Sequence, residues 1–389
     1  MGLEILKKSS NKNPNIDRLR FFGHRDRPLH TDEIVSRNPI LAQKKIPQDL
    51  VFLNHQHKTY LYTESKVKMP RVVVQKLDEN QRTKKVLWEV ELKNLGEYEA
   101  DVRYAKTASR DSADNIIKGV PSNTDLSGFR PDWTDLFYVP RFIPEYDRPL
   151  RRLNGKLVKP LWRFDPDDRK PFKDSSYPWR CVGKIFNSNG KAGTGVLVGK
   201  NIVVTAGHLV PWGSSSWWMK FVPSYFDGKS LLGNEVYSFV SDAKGYDPSG
   251  DVCGYDWAIL RLYNDLGKSY GYLGFNGYSD DWEDEPYWTL VGYPGEVAKG
   301  EKPSYQSAVS IVDDDSDSNG GRELETYADT SGGNSGGPLM GMWDHDVRLI
   351  GVVSGGETEY VFPFSSEGIN VIAGGSGLGN LIAWGRTNW

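Results

Sequence analysis

The chain has 389 residues, 13 Trp, 20 Tyr and 15 Phe, and a net charge of −3, which is apolar volume enough for more than one domain. Residues 1–170 carry 33 Lys+Arg against 24 Asp+Glu and the remainder 15 against 27, so a basic half precedes an acidic one. No apolar run approaches about 20 residues, which excludes a membrane-spanning helix. The basic residues form no aromatic-interleaved cluster, which argues against nucleic acid as a partner.

Residues 1–45 are polar and basic, with Ser-Ser-Asn-Lys-Asn-Pro-Asn at 9–15, and read as a loosely docked arm. The first residues, Met1-Gly-Leu-Glu-Ile-Leu-Lys-Lys, lack an apolar core of signal-peptide length. Strand-like runs follow at Lys58–Thr63, Arg71–Leu77 and Val86–Leu92, the last alternating apolar with charged residues. Residues 120–178 are rich in proline and charge and read as an extended linker. The charged stretch from Asp165 to Ser176 is the expected point of any processing. After Tyr177-Pro-Trp the texture changes to short β-branched or aromatic runs between Gly, Asn and Asp turns, as at 182–186, 195–198, 201–205, 257–262, 289–293 and 349–354. Some 210 such residues predict an antiparallel barrel or sandwich, with one short helix at Leu378–Trp384. Cys181 and Cys253 are too few for a disulfide scaffold, and neither stands in a metal-ligand spacing. Whether they pair is left open.

The chemistry sits in two short segments. In Asp329-Thr-Ser-Gly-Gly-Asn-Ser335-Gly-Gly-Pro-Leu339 a serine is flanked by glycines. Such a turn exposes the hydroxyl and gathers backbone N–H groups that can receive an oxyanion, which is what acyl transfer requires. In Val203-Val-Thr-Ala-Gly-His208 a histidine ends a β-branched run and emerges at a strand tip as candidate general base. His345, in the polar turn Trp343-Asp-His-Asp346, reads as a solvated loop residue. A histidine base needs a carboxylate on its other ring nitrogen. Asp256, directly before the apolar run Trp257–Leu262, suits that role better than Asp251 in its Gly/Asp-rich loop.

Three segments resemble the trypsin-like serine peptidases: Thr-Ala-Gly-His at 205–208, Asp-Trp-Ala-Ile-Leu at 256–260 and Gly-Asn-Ser-Gly-Gly-Pro-Leu at 333–339, in that family's order. Val291-Gly-Tyr-Pro294 and Ile350–Gly356 add to the likeness. The absence of cysteine after His208, and Asn334 before the serine, resemble the microbial glutamyl-endopeptidase branch. The resemblance covers about 177–389.

It implies an all-β fold of two six-stranded antiparallel β-barrels with a short C-terminal helix, preceded by a β-containing N-terminal region. It further implies a peptidase domain at 171–389, with residues 1–165 as a propeptide or accessory region and linker. By the resemblance Ser335 is the nucleophile, His208 the base and Asp256 its orienting carboxylate. The N–H groups of Gly333 and Ser335 form the oxyanion hole. Asp329, Thr330, Ser354 and Gly356 line the substrate pocket; Asp329 favours a basic residue before the scissile bond, Thr330 resembles the threonine of Glu-selective members, and Glu and broad specificity remain the alternatives. Val353 stands where Glu-selective members keep a histidine. The expected partners are protein or peptide substrates; the basic N-terminal half either docks on the acidic catalytic half and holds it latent until a new N-terminus is freed, or is a fused β-rich domain with a separate binding role. Secretion is expected from the family.

Triad chemistry needs no cofactor, and no metal is expected. Asp315-Ser-Asp-Ser-Asn-Gly320 begins like a calcium loop but has Thr326 where a bidentate glutamate is needed, and His55 and His57 lack a third ligand. The rival reading is a trypsin-like fold that has lost its chemistry and serves as a binding module. Such members usually lack a triad residue, and here all three are present.

Overall fold

The computed structural model of the chain describes residues 27–37, 40–41, 86–87, 90–91, 103–117, 126–141, 152–153, 156–157, 167–361 and 365–389. The runs expected as strands at 58–63 and 71–77, and His55 and His57, lie outside these residues.

The β-branched runs pair as antiparallel strands. Val182–Asn187 (β1), Lys191–Gly199 (β2), Ile202–Thr205 (β3), Met219–Pro223 (β4), Ser238–Gly245 (β5) and Ala258–Leu262 (β6) hydrogen-bond in the order β1-β2-β3-β6-β5-β4. The ladder between β4 and β1, with Ile185 opposite Phe221, closes the circle into a six-stranded barrel. Its interior is filled by Leu197, Val203, Phe221, Val240 and Leu260, all fully buried. Closure leaves open only strand ends that run past their neighbours, as β2 does ahead of Val196.

A second antiparallel sheet follows. It is built from Trp288–Gly292 (β7), Ser304–Val309 (β8), Asp313–Ser316 (β9), Arg322–Thr326 (β10), Pro338–Trp343 (β11), Asp346–Val361 (β12) and Ser365–Gly374 (β13). The strand order is β9-β10-β13-β12-β11-β7-β8, with Lys170–Pro171 added beside β8. Its core holds Leu324, Leu339, Ile350, Val353 and Ile372 beside an aromatic cluster. The Trp282, Trp288 and Trp343 rings stand 5.8–6.2 Å apart at tilted or edge-on angles, spacings at which aromatic edges meet faces.

The C-terminal helix is longer than the expected Leu378–Trp384: it runs Ser376–Asn388 (α1). Gly375 supplies the positive φ of +94° needed to enter it. Leu378, Leu381 and Ile382 are fully buried on one face. Arg386 ties α1 to β2 by donating to the Val198 carbonyl at 2.7 Å, and reaches the carbonyls of Ser127 and Leu273.

Parts of the N-terminal half lie against this framework. Leu29 donates its N–H to the Met342 carbonyl at 2.7 Å, and Ala105 to the Trp217 carbonyl at 3.0 Å. Arg37 pairs with Asp344 and Arg110 with Asp247. Cys181 and Cys253 are both buried free thiols.

Candidate active site

His208 stands where the β3 run leads, in a single turn at 207–209 just past Thr205. Asp256 lies two residues before β6, which pairs with β3 (Ala258 opposite Thr205). That register sets the two side chains side by side. The His208 Nδ1 is 2.7 Å from Asp256 Oδ2, and the His208 backbone N–H donates to Oδ1 at 2.9 Å. The Ser354 hydroxyl donates to Oδ2 at 2.6 Å. Asp256 and Ser354 are fully buried. Three donors hold this carboxylate in one orientation. The remaining ring nitrogen, Nε2 of His208, is buried and has no hydrogen-bond partner among the described residues.

The Ser335 turn is stitched into both sheets. Thr194 on β2 donates its N–H to the Ser335 carbonyl at 2.8 Å. On the other side Gly336 donates to the Val353 carbonyl at 2.8 Å, and Val353 donates back to Gly337 at 2.9 Å. Gly336 has φ +77°, and a Cβ there would lie 2.3 Å from both the Thr194 carbonyl and the Thr205 hydroxyl. Only glycine allows the turn to approach the His208 strand this closely.

Gly333 has φ +100°. The carbonyl of Gly332 accepts the Gly295 N–H at 2.6 Å. In a trans peptide the C=O and the following N–H point in opposite directions. Anchoring the Gly332 oxygen on Gly295 therefore turns the Gly333 N–H the other way. The Gly333 carbonyl in turn accepts the Thr194 hydroxyl at 2.7 Å, which locks the peptide on its second side.

The expected pocket residues lie next to this turn. Asp329 is 1% exposed. Its Oδ2 accepts the backbone N–H of Asp168 at 2.9 Å, and its own N–H donates to Gln306. The Thr330 hydroxyl is buried and lacks a hydrogen-bond partner among the described residues. Gly356 lies on β12, two residues beyond Ser354, opposite Asn370 of β13. The Ser354 side chain faces Asp256.

One functional cluster has no signature in the sequence. Arg169 is 2% exposed, and its guanidinium donates to both oxygens of Asp167 at 3.1 Å, to Glu296 at 3.0 Å and to the Ser331 hydroxyl at 2.9 Å. It thereby reaches the turn that carries the nucleophile from the segment just ahead of the catalytic framework. Burial opposes its charge, but the two carboxylates outweigh that and raise its pKa. Lone arginines in charged linkers usually face solvent, so only the fold reveals this one. His345 meets the Tyr138 hydroxyl at 3.1 Å, far from these groups in the fold's logic as in the sequence. Among the described residues no group of three His, Cys, Asp or Glu side chains is placed to hold a metal ion.

Comparison with known proteins meets the geometry at this point. Residues 169–361 match the family model named Trypsin. This part of the chain belongs to the trypsin family. Exfoliative toxin A of Staphylococcus aureus is 25% identical over 212 residues, which is 51% of this chain and 67% of the toxin. Among solved structures, a Glu endopeptidase in complex with MPD is 19% identical with a TM-score of 0.45, covering 58% of this chain and 99% of its own. Protease Anisep from Arthrobacter nicotinovorans is also 19% identical, with a TM-score of 0.40 and coverage of 55% and 99%. The trypsin-family unit of this chain is a trypsin-like serine protease domain with a chymotrypsin-like fold, and its described helices include none long and apolar enough to cross a membrane.

Proposed function

We propose that the chain is a serine endopeptidase that hydrolyses peptide bonds through an acyl-enzyme. The observation that carries the reading is the continuous link Ser354–Asp256–His208, set beside a Ser335 turn that is tied to β2 and β12. Ser335 Oγ attacks the substrate carbonyl while His208 Nε2 accepts its proton. His208 then returns the proton to the leaving amine, and water repeats the cycle on the ester. Asp256 keeps the imidazole in the tautomer that leaves Nε2 free to accept, and stabilises the imidazolium. The N–H groups of Gly333 and Ser335 receive the oxyanion; one such donor is worth about 2.7–4 kcal/mol.

Asp329, whose carboxylate accepts the Asp168 N–H, favours Arg or Lys before the scissile bond. Arg169 holds the Ser331 side of the nucleophile turn with a cation from within the chain. A freed α-ammonium is therefore not required to order that turn, and we place no obligatory cut between 165 and 176. Export from the cell is part of the proposal, checked by recovery of the chain from culture medium. A library of peptides varied at the residue before the scissile bond tests the reading, run with the full chain and with Ser335→Ala. Cleavage after Arg and Lys that disappears in the variant is expected. Cleavage mainly after acidic residues would overturn the assignment of Asp329, and turnover unaffected by Ser335→Ala would overturn the mechanism.

A further inference from the structure

Two short strands of the N-terminal half lie on the flanks of the candidate site. Val86 pairs with Gly356 and Leu87 with Gly355, antiparallel to β12. Val90 pairs with Ala192 and Glu91 with Lys191, antiparallel to β2. In each case the other edge is already taken. Gly355 and Gly356 face Val371 and Asn370 of β13, and Ala192 faces Phe186 of β1. The strands at 86–87 and 90–91 thus fill the open edge of one sheet and then the open edge of the other.

Three residue steps separate Leu87 from Val90, an extended reach of roughly 10 Å. The nucleophile turn lies between the two edges. Thr194, which holds the Ser335 carbonyl, is two residues from Ala192. Val353, which holds Gly336 and Gly337, is two residues from Gly355.

We propose that the strands at 86–87 and 90–91 occupy the two edges of the substrate cleft and compete there with external peptide substrates. The proposal rests on the peptidase reading and names the first ligand of its cleft, a segment of the same chain. An open strand edge binds an extended peptide through main-chain hydrogen bonds, and the side-chain-free Gly355 and Gly356 let that backbone approach. The contact is intramolecular, so an effective concentration in the millimolar range makes even a weak strand an efficient competitor. A segment with an intrinsic Kd of about 0.1 mM would raise the apparent KM roughly tenfold.

The test uses the full chain with Val86→Pro and, separately, Val90→Pro. Proline lacks the N–H and is poorly tolerated within a paired strand. An unchanged thermal midpoint confirms that each variant is folded. In a Ser335→Ala background, where nothing is cut, hydrogen exchange of the 354–357 and 191–193 amides should be faster in both variants. With Ser335 present, KM for an external peptide should fall about five- to tenfold at unchanged kcat. Exchange and KM unchanged in both variants would overturn the proposal. Faster exchange with no Ser335-dependent turnover in any chain would leave the occupancy standing and overturn the peptidase reading.

Discussion

Asp256 is the residue on which the site converges, since its two oxygens take the His208 ring, the His208 backbone and the Ser354 hydroxyl. Asp256→Asn preserves the shape but presents a donor where the ring needs an acceptor, so the wrong imidazole tautomer faces the nucleophile. Steady-state kinetics should show kcat lower by about 10⁴ with the fold intact. Ser354→Ala removes one donor to the same carboxylate. A hydrogen bond to a charged group is worth roughly 1.5–3 kcal/mol, so kcat should drop about tenfold or somewhat more while KM changes little. An unchanged kcat would make that serine a packing residue. The three candidate residues stood out in the sequence because each is announced locally: His208 and Asp256 by the apolar runs beside them, Ser335 by its glycines. The Ser354 contact did not, because it joins residues 98 positions apart through the packing of one sheet on the other.

At the scale of elements, the segment from Asp167 to Trp179 is a structural part of the catalytic unit, although its proline and charge read as linker. Phe172 and Trp179 are buried, with ring centroids 5.4 Å apart. Arg169 is enclosed by Asp167, Glu296 and Ser331. Arg169→Met leaves two carboxylates without their buried cation, and the loss of one partner from such a cluster costs about 3–5 kcal/mol. Thermal denaturation should show a correspondingly lower midpoint, with labelling of Ser335 lost before global unfolding.

Asp174 in the same segment is buried, which raises its pKa. The guanidinium of Arg141 and the N–H groups of Ser176 and Arg141 outweigh burial and hold it below the ordinary 3.8. Its folded-state pKa is thus lower than its unfolded one. The stabilisation is full above about pH 4 and is lost as pH falls through the folded value. Asp174→Asn should flatten the acid limb of stability against pH below 4 and leave its slope near pH 7 unchanged. The strand runs were legible here because β-branched residues between glycine turns carry a two-residue period. The role of 167–179 was not, because a charge that will be buried and paired looks the same in sequence as one that will be solvated.

For the whole molecule, the charge asymmetry between halves has structural counterparts in Arg37–Asp344 and Arg110–Asp247. Exposed pairs of this kind contribute little each, so the strands at 86–87 and 90–91 and backbone contacts such as Leu29 to Met342 matter more for holding the described N-terminal residues. That long-range pairing has no local signature: Val86–Leu92 alternates as any half-exposed strand would, and nothing in the run names its partner. The account's central claim is that Ser335 is an activated nucleophile. The most direct measurement is fluorophosphonate labelling of the full chain, its Val86→Pro variant and a Ser335→Ala control, with the labelled peptide mapped by mass spectrometry. The account predicts an adduct on Ser335, formed faster in Val86→Pro and absent in the control. No Ser335 adduct in either the full chain or its Val86→Pro variant would contradict it, and would make this a trypsin-family fold that binds without cutting.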